Sequence, residues 1–328
     1  MLWAGLLNFL VGCAFDEDRT AAAILVSQDQ NKSLKELSNM TNTPLYSEAA
    51  WSQWHLARLD RLSQPDGWLS LVGLDFLPTA VGEVLSFGGA DADISPDGFK
   101  AKLGQLELRQ DGWWFRVETG TKCTWNGQQK EEGILQTDAE AQPTTLRVGG
   151  GILTLIDRGG RVALRSRHPD ARSRVDFSGI PCWPWQEHAI VKGTFLPAQP
   201  GLTFQYVNAL GETEETALGG AVRFTWPSVG DVNAEEATYE LIGSLNGDGS
   251  LWVVFSDATS GNESYGGGRF LSISAPDGKG EVVIDFNRSV NPPCAFTPFA
   301  TCPRPPVQNK LPFEVAAGEK SPSSQGGI

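Results

Sequence analysis

From Gly67 onward the sequence breaks into short β-prone runs closed by tight turns. Leu103–Arg109 and Trp113–Val117 flank Gln110-Asp111-Gly112, a hairpin signature. Ile152–Arg158 and Arg161–Arg167 flank Gly159-Gly160, and two glycines between strands suit a primed two-residue turn, where φ must be positive. Similar runs follow at Leu202–Val207, Ala221–Trp226, Thr238–Ile242, Leu251–Phe255, Arg269–Ile273 and Glu281–Asn287. Strands this short and turns this dense argue against a helical bundle. The pattern predicts an all-β, mainly antiparallel fold of sandwich or barrel-like form. With 328 residues, 40% of them apolar, the chain can bury one large core or two smaller ones.

One helix is expected ahead of the strands. Thr43-Pro44 reads as an N-cap with proline in the first turn, and Trp51, Trp54, Arg58, Leu59 and Leu62 follow at helical spacing. The reading is an amphipathic helix over 44–64, a β-subdomain over 65–180, a second over 181–320 and a low-complexity tail over 321–328. Its Trp residues are expected to make core contacts.

The N-terminus carries a different signal. Leu2–Val11 is uncharged and too short to span a bilayer, and the chain turns polar at Asp16-Glu17-Asp18-Arg19. Leu10-Val11-Gly12-Cys13 resembles the lipobox of bacterial lipoproteins, which implies a signal peptide over 1–12, an acylated Cys13 and a tether over 13–43. The expected location is outside the cytoplasm, facing the periplasm or the cell exterior, with a membrane held through the N-terminal lipid. The net charge of −13 argues against a nucleic-acid partner.

Export permits disulfides. Besides Cys13 there are Cys123, Cys182, Cys294 and Cys302, which allow three pairings. Cys294 and Cys302 share a Pro-rich loop, so a disulfide between them is expected, with pairing to Cys123 or Cys182 left open.

Standard catalytic signatures are absent. His55, His168 and His188 show no metal-ligand spacing, and no HExxH, CxxC, GxSxG or phosphate loop occurs. No metal and no cofactor is expected. Two constellations remain. The first is Asp157, Arg158, Arg161, Arg165, Arg167, Arg172 and Arg174. Strand alternation puts Arg161, Arg165 and Arg167 on one face, either an anion-binding face or a solvated one paired with acids. The second is Asp257, Tyr265, Arg269, Asp285 and Asn287 beside a glycine-rich bend. These residues could form a ligand or catalytic site, or knit a Pro-rich loop onto the sheet. Asp285 and Asn287 are expected on one strand face, and if Arg269–Ile273 and Glu281–Asn287 form a hairpin, Arg269 lies opposite or diagonal to one of them.

The second constellation lies inside a longer resemblance. Residues 251–320 resemble the DUF1684 family signature in Asp257–Gly261, Tyr265–Leu271, Asp285-Phe286-Asn287 and Asn291-Pro292-Pro293-Cys294-Ala295-Phe296-Thr297-Pro298. Ala300-Thr301-Cys302-Pro303, Asn309-Lys310-Leu311-Pro312 and Ala317-Gly318-Glu319-Lys320 continue it, and Gly67–Leu74 resembles its opening motif. The resemblance covers about 65–320 and implies no activity. The functional expectation is a binding or structural lipoprotein of the cell envelope. The alternative is an extracytoplasmic hydrolase-like enzyme using Asp257, Tyr265, Arg269 and Asp285.

Overall fold

The computed structural model describes residues 45–226 and 237–322. The expected signal peptide, Cys13, the tether and nearly all of the tail lie outside the described residues. The Ser47 hydroxyl accepts the Ala50 amide, an N-cap contact that starts helix α1 (Glu48–Ser63) four residues after the expected Pro44. Along α1, Trp51, Trp54, His55, Arg58, Leu59 and Leu62 are sheltered while the intervening residues are exposed. Leu62 and Leu59 pack with Leu69, Phe177, Ile180 and Phe296. Among the described residues, no helix is long and apolar enough to cross a membrane.

The rest is antiparallel β-structure, as the turn pattern predicts. The first half contains β1 (Leu71–Phe76), β2 (Val84–Phe87), β3 (Gly104–Arg109), β4 (Gly112–Val117) and β5 (Cys123–Trp125). It continues with β6 (Gln128–Gln129), β7 (Glu132–Ile134), β8 (Leu146–Val148), β9 (Gly151–Arg158) and β10 (Arg161–Arg167). One sheet runs β1-β10-β9-β8-β5-β6 and a second runs β2-β3-β4-β7. Phe87, Phe99, Leu106, Phe115, Trp125, Leu146, Leu153 and Leu164 fill the core of this half. The β9–β10 hairpin forms as expected, with Gly159 and Gly160 at φ 61° and 83°.

The second half contains β11 (Ile190–Pro197), β12 (Thr203–Val207), β13 (Thr213–Ala217) and β14 (Gly220–Thr225), then β15 (Thr238–Leu245), β16 (Leu251–Phe255), β17 (Arg269–Ile273) and β18 (Glu281–Asp285). A six-stranded sheet runs β17-β16-β15-β14-β11-β18. Past β18, Val290 bridges back to Phe270 of β17, so the sheet curls toward closure around Phe224, Leu241, Val253, Phe255, Ile284 and Phe286. β12 and β13 form a separate hairpin.

Two expectations are corrected. β17 and β18 are not a hairpin, because β17 pairs with β16 while β18 takes the free edge of β11. Asp285 and Asn287 do not share a strand. β18 stops at Asp285, whose carboxylate accepts the Asn287 amide at 3.1 Å and caps a 3-10 turn over Phe286–Arg288.

Candidate functional site

Arg269 and Asp257 form an ion pair at 2.7 Å, and both side chains are 0% exposed. Arg269 also donates to the carbonyls of Val315 and Ala317. Asp257 accepts from the Thr259 amide at 2.8 Å, the Thr259 hydroxyl at 2.6 Å and the Val315 amide at 3.2 Å. The guanidinium lies over the rings of Trp183 and Phe255. These contacts fasten the 315–319 segment to the inner wall of the curled sheet. Asp285 is engaged likewise by Asn287 and Arg288, and burial raises its carboxyl above the usual range. The Asn287 amide exchanges both hydrogen bonds with the backbone of Gln186. The Tyr265 hydroxyl donates to the Cys294 carbonyl at 3.2 Å. The five residues therefore do not converge on one cleft, and their polar groups hold loops in place.

The arginine face of β10 is built differently. Arg161 is exposed and paired with Glu212. Arg165 is 6% exposed and Arg167 is half-buried. Among the described residues neither has an ion pair or hydrogen bond, and the Nε of each is buried without an acceptor. Both guanidinium groups stack near the Trp68 ring, with centroid distances of 5.6 and 5.9 Å. Burial, reinforced by the charges of Arg167 and Arg158, lowers the Arg165 pKa to about 10, so it stays cationic at neutral pH.

Arg165 opens onto a cleft of about 640 Å³ lined from both halves of the β-structure. The first half supplies Trp68, Asp157, Arg158 and Arg165; the second supplies Tyr206, Glu214, Phe270, Thr301 and Cys302 among others. Arg158 is held in place by Asp138 at 2.9 Å and by the Thr301 hydroxyl at 3.2 Å. Across the cleft the Tyr206 hydroxyl donates to Glu214 at 2.7 Å, and burial followed by that carboxylate raises the tyrosine pKa. Sequence reasoning found Arg165 through strand alternation. It placed Trp68 only in the Gly67–Leu74 motif and missed Tyr206 and Glu214, of which Tyr206 alone carries a signal, its alternation with Phe204 along β12.

The expected Cys294–Cys302 disulfide is not formed. Cys123, Cys182, Cys294 and Cys302 are all free thiols. The loop prolines leave Cys294 on a 3-10 turn over Pro293–Ala295, where its amide donates to Cys302 Sγ at 3.2 Å. No group of three or more metal-ligating side chains occurs among the described residues.

Residues 175–320 match the model of DUF1684, described as a protein of unknown function. The match covers the second β-half and not the Gly67–Leu74 motif. A similar solved structure is the solution structure of an uncharacterized protein from Haloarcula marismortui. It shares 26% identity over 46% of this chain and 81% of its own, with a TM-score of 0.36. No curated protein matches.

Proposed function

We propose that this chain is a DUF1684 protein that binds a small anionic ligand in the Arg165 cleft, and that it does so as an exported, lipid-anchored binding protein. One observation carries the binding assignment. Among the described residues Arg165 is a buried cation with no direct ion pair or hydrogen bond and an unfilled Nε donor, Asp138 acting on it only at longer range, and it faces a cavity of ligand size. Removing a guanidinium from water without a partner is costly, and a carboxylate or phosphate supplied from solution would offset that cost. Arg158, paired at two points with Asp138, adds a second cation to the lining, while Trp68 and Phe270 offer apolar contact for the rest of the ligand. The anchoring rests on the lipobox resemblance at Leu10–Cys13.

The hydrolase alternative loses support from the same geometry. Asp257 and Arg269 are closed off from solvent and saturated by one another and by backbone. A general acid or base needs to reach a substrate proton, and neither group can.

The test is a thermal-shift and calorimetric screen of the full chain against inorganic phosphate, phosphate monoesters, citrate and short carboxylates. A ligand at 100 times its Kd stabilises the folded state by about 2.7 kcal/mol. At least one anion is expected to raise Tm in the wild type and to lose at least tenfold in affinity in Arg165→Met. Binding unaffected by that substitution would show that the cleft is not an anion site.

A further inference from the structure

We propose that the ligand of the Arg165 cleft is a zwitterion, an amino acid or short peptide whose carboxylate meets Arg165 and whose ammonium meets Glu214. The inference rests on the reading of the cleft as an anion site and names the second charge its ligand carries. Tyr206 of β12 and Glu214 of β13 are direct partners across their hairpin, so both side chains stand on one face. That face is half-buried, while the alternate residues of both strands are exposed. The hairpin is tied to the turn that forms the next wall of the cleft. The Arg304 amide donates to the Val207 carbonyl and the Ala209 amide to the Cys302 carbonyl, both at 2.8 Å. Glu214 is therefore a fixed part of the lining.

Its carboxylate accepts from the Tyr206 hydroxyl and from the Asn208 side-chain amide. Asn208 is fully buried, and its carbonyl oxygen is taken by the Leu210 and Glu212 amides, which aims its NH groups at the acids. Both donors to Glu214 are neutral, and among the described residues it has no ion pair. A carboxylate offers about four acceptor sites, so roughly half of its capacity remains.

The charges of the lining do not cancel in pairs. Arg158 is engaged at two points by Asp138. Arg165 and Glu214 line the same cavity without forming an ion pair with each other. Asp157 and Glu215 are also in the lining, and among the described residues neither has an ion pair. A simple anion docked on Arg165 would gain one cation and meet three carboxylates, those of Asp157, Glu214 and Glu215. Like charges held in a cleft repel more strongly than in bulk water. An ammonium at the far end of the ligand replaces that repulsion with a charge-assisted hydrogen bond to Glu214. The rings of Trp68 and Phe270 suit the aliphatic stretch between the two charges. A hydroxylated acid would donate to Glu214 and leave its charge unmatched.

The experiment is calorimetry of the full chain against matched pairs that differ in the amine alone: alanine with propionate, γ-aminobutyrate with butyrate, ε-aminocaproate with caproate, and alanylalanine with its N-acetyl form. Gluconate serves as the hydroxylated acid. In at least one pair the zwitterion is expected to bind about tenfold more tightly than its partner, a gain of about 1.4 kcal/mol. Glu214→Gln preserves both hydrogen bonds, because the carboxamide oxygen accepts from Asn208 and its nitrogen donates to the Tyr206 oxygen. In that variant the two members of the pair should bind alike, and Arg165→Met should weaken both. If every acid binds as tightly as its zwitterion, or gluconate binds more tightly than all of them, the zwitterion is overturned and the anion site stands. A tenfold gain that persists in Glu214→Gln overturns the role of Glu214. Absence of any binding that depends on Arg165 overturns the zwitterion and the anion site together.

Discussion

Substituting Arg165, and Asp257 as the counter-ion of Arg269, tests whether the two buried arginines play different roles. Asp257→Ala removes the counter-ion of Arg269 in a site with no solvent, and it strands the Thr259 and Val315 amides. Breaking a buried pair by removing one partner costs about 3–5 kcal/mol. Each stranded donor adds roughly 1 kcal/mol or more. Against a typical total of about 5–15 kcal/mol, that is a third of the stability or more. In guanidinium chloride, with a slope near 5 kcal/mol/M, the combined loss of about 5–7 kcal/mol should lower the midpoint by about 1–1.4 M. The double variant Asp257→Ala/Arg269→Met should not recover fully, because the Val315 and Ala317 carbonyls would lose their donor. Arg165→Met is expected to behave oppositely. It removes a cation that has no ion pair or hydrogen bond among the described residues and replaces it with an apolar chain of similar length, so stability should hold or rise by about 1–2 kcal/mol. The assay is equilibrium denaturation followed by tryptophan fluorescence, with the slope checked for constancy. If Asp257→Ala costs under about 1 kcal/mol, the closed-network account fails. If Arg165→Met is as damaging as Asp257→Ala, Arg165 is a structural residue.

Two further outcomes concern His55 in the middle of α1 and Cys13 near the N-terminus. His55, stacked on Trp51, is held below its ordinary pKa of 6.5, first by burial and then by Arg58, against an opposing pull from Glu319. The unfolded chain then binds a proton more readily than the folded one, so His55 should cost stability as pH falls through 6.5, until the pH passes below its folded value. Denaturation midpoints from pH 8 to 5 should show a decline that is shallower in His55→Gln, and superimposable profiles would contradict this. For the proposed anchor, Cys13→Ser should move the protein from the membrane fraction to the soluble one or leave it unprocessed; unchanged fractionation and mass would exclude acylation at Cys13.

The strands most visible in the sequence are those whose alternation or turns are locally encoded. β9 and β10 flank two glycines that adopt positive φ, and both strands form within one residue of the expected bounds. β13 is invisible because Thr213–Ala217 is polar or small on both faces, and it exists only through its pairing with β12. The end of β18 is missed because strand propensity says nothing about Asp285 turning its carboxylate onto the Asn287 amide.

The two central arginines show where such reasoning stops, since both are strand residues removed from water. Alternation assigns each a face, and a face does not state what covers it. For Arg269 the cover is the 315–319 segment, about fifty positions further along, which brings two carbonyls while Asp257 from the neighbouring stretch brings the charge. For Arg165 the cover is the Thr301–Pro303 turn and the β12–β13 hairpin, which bring Cys302, Tyr206 and Glu214 but no acceptor to its Nε. The difference between a satisfied knot and an open cleft therefore resides in the covering loop. That is why the polar groups of the Asp257–Asn287 constellation are taken up by one another and by loop backbone, while the cleft is assembled from residues as far apart as Trp68 and Pro303. A polar cluster whose members are close in sequence can satisfy itself locally. A buried charge that depends on a distant segment for its partner, and does not receive one, remains available to a ligand.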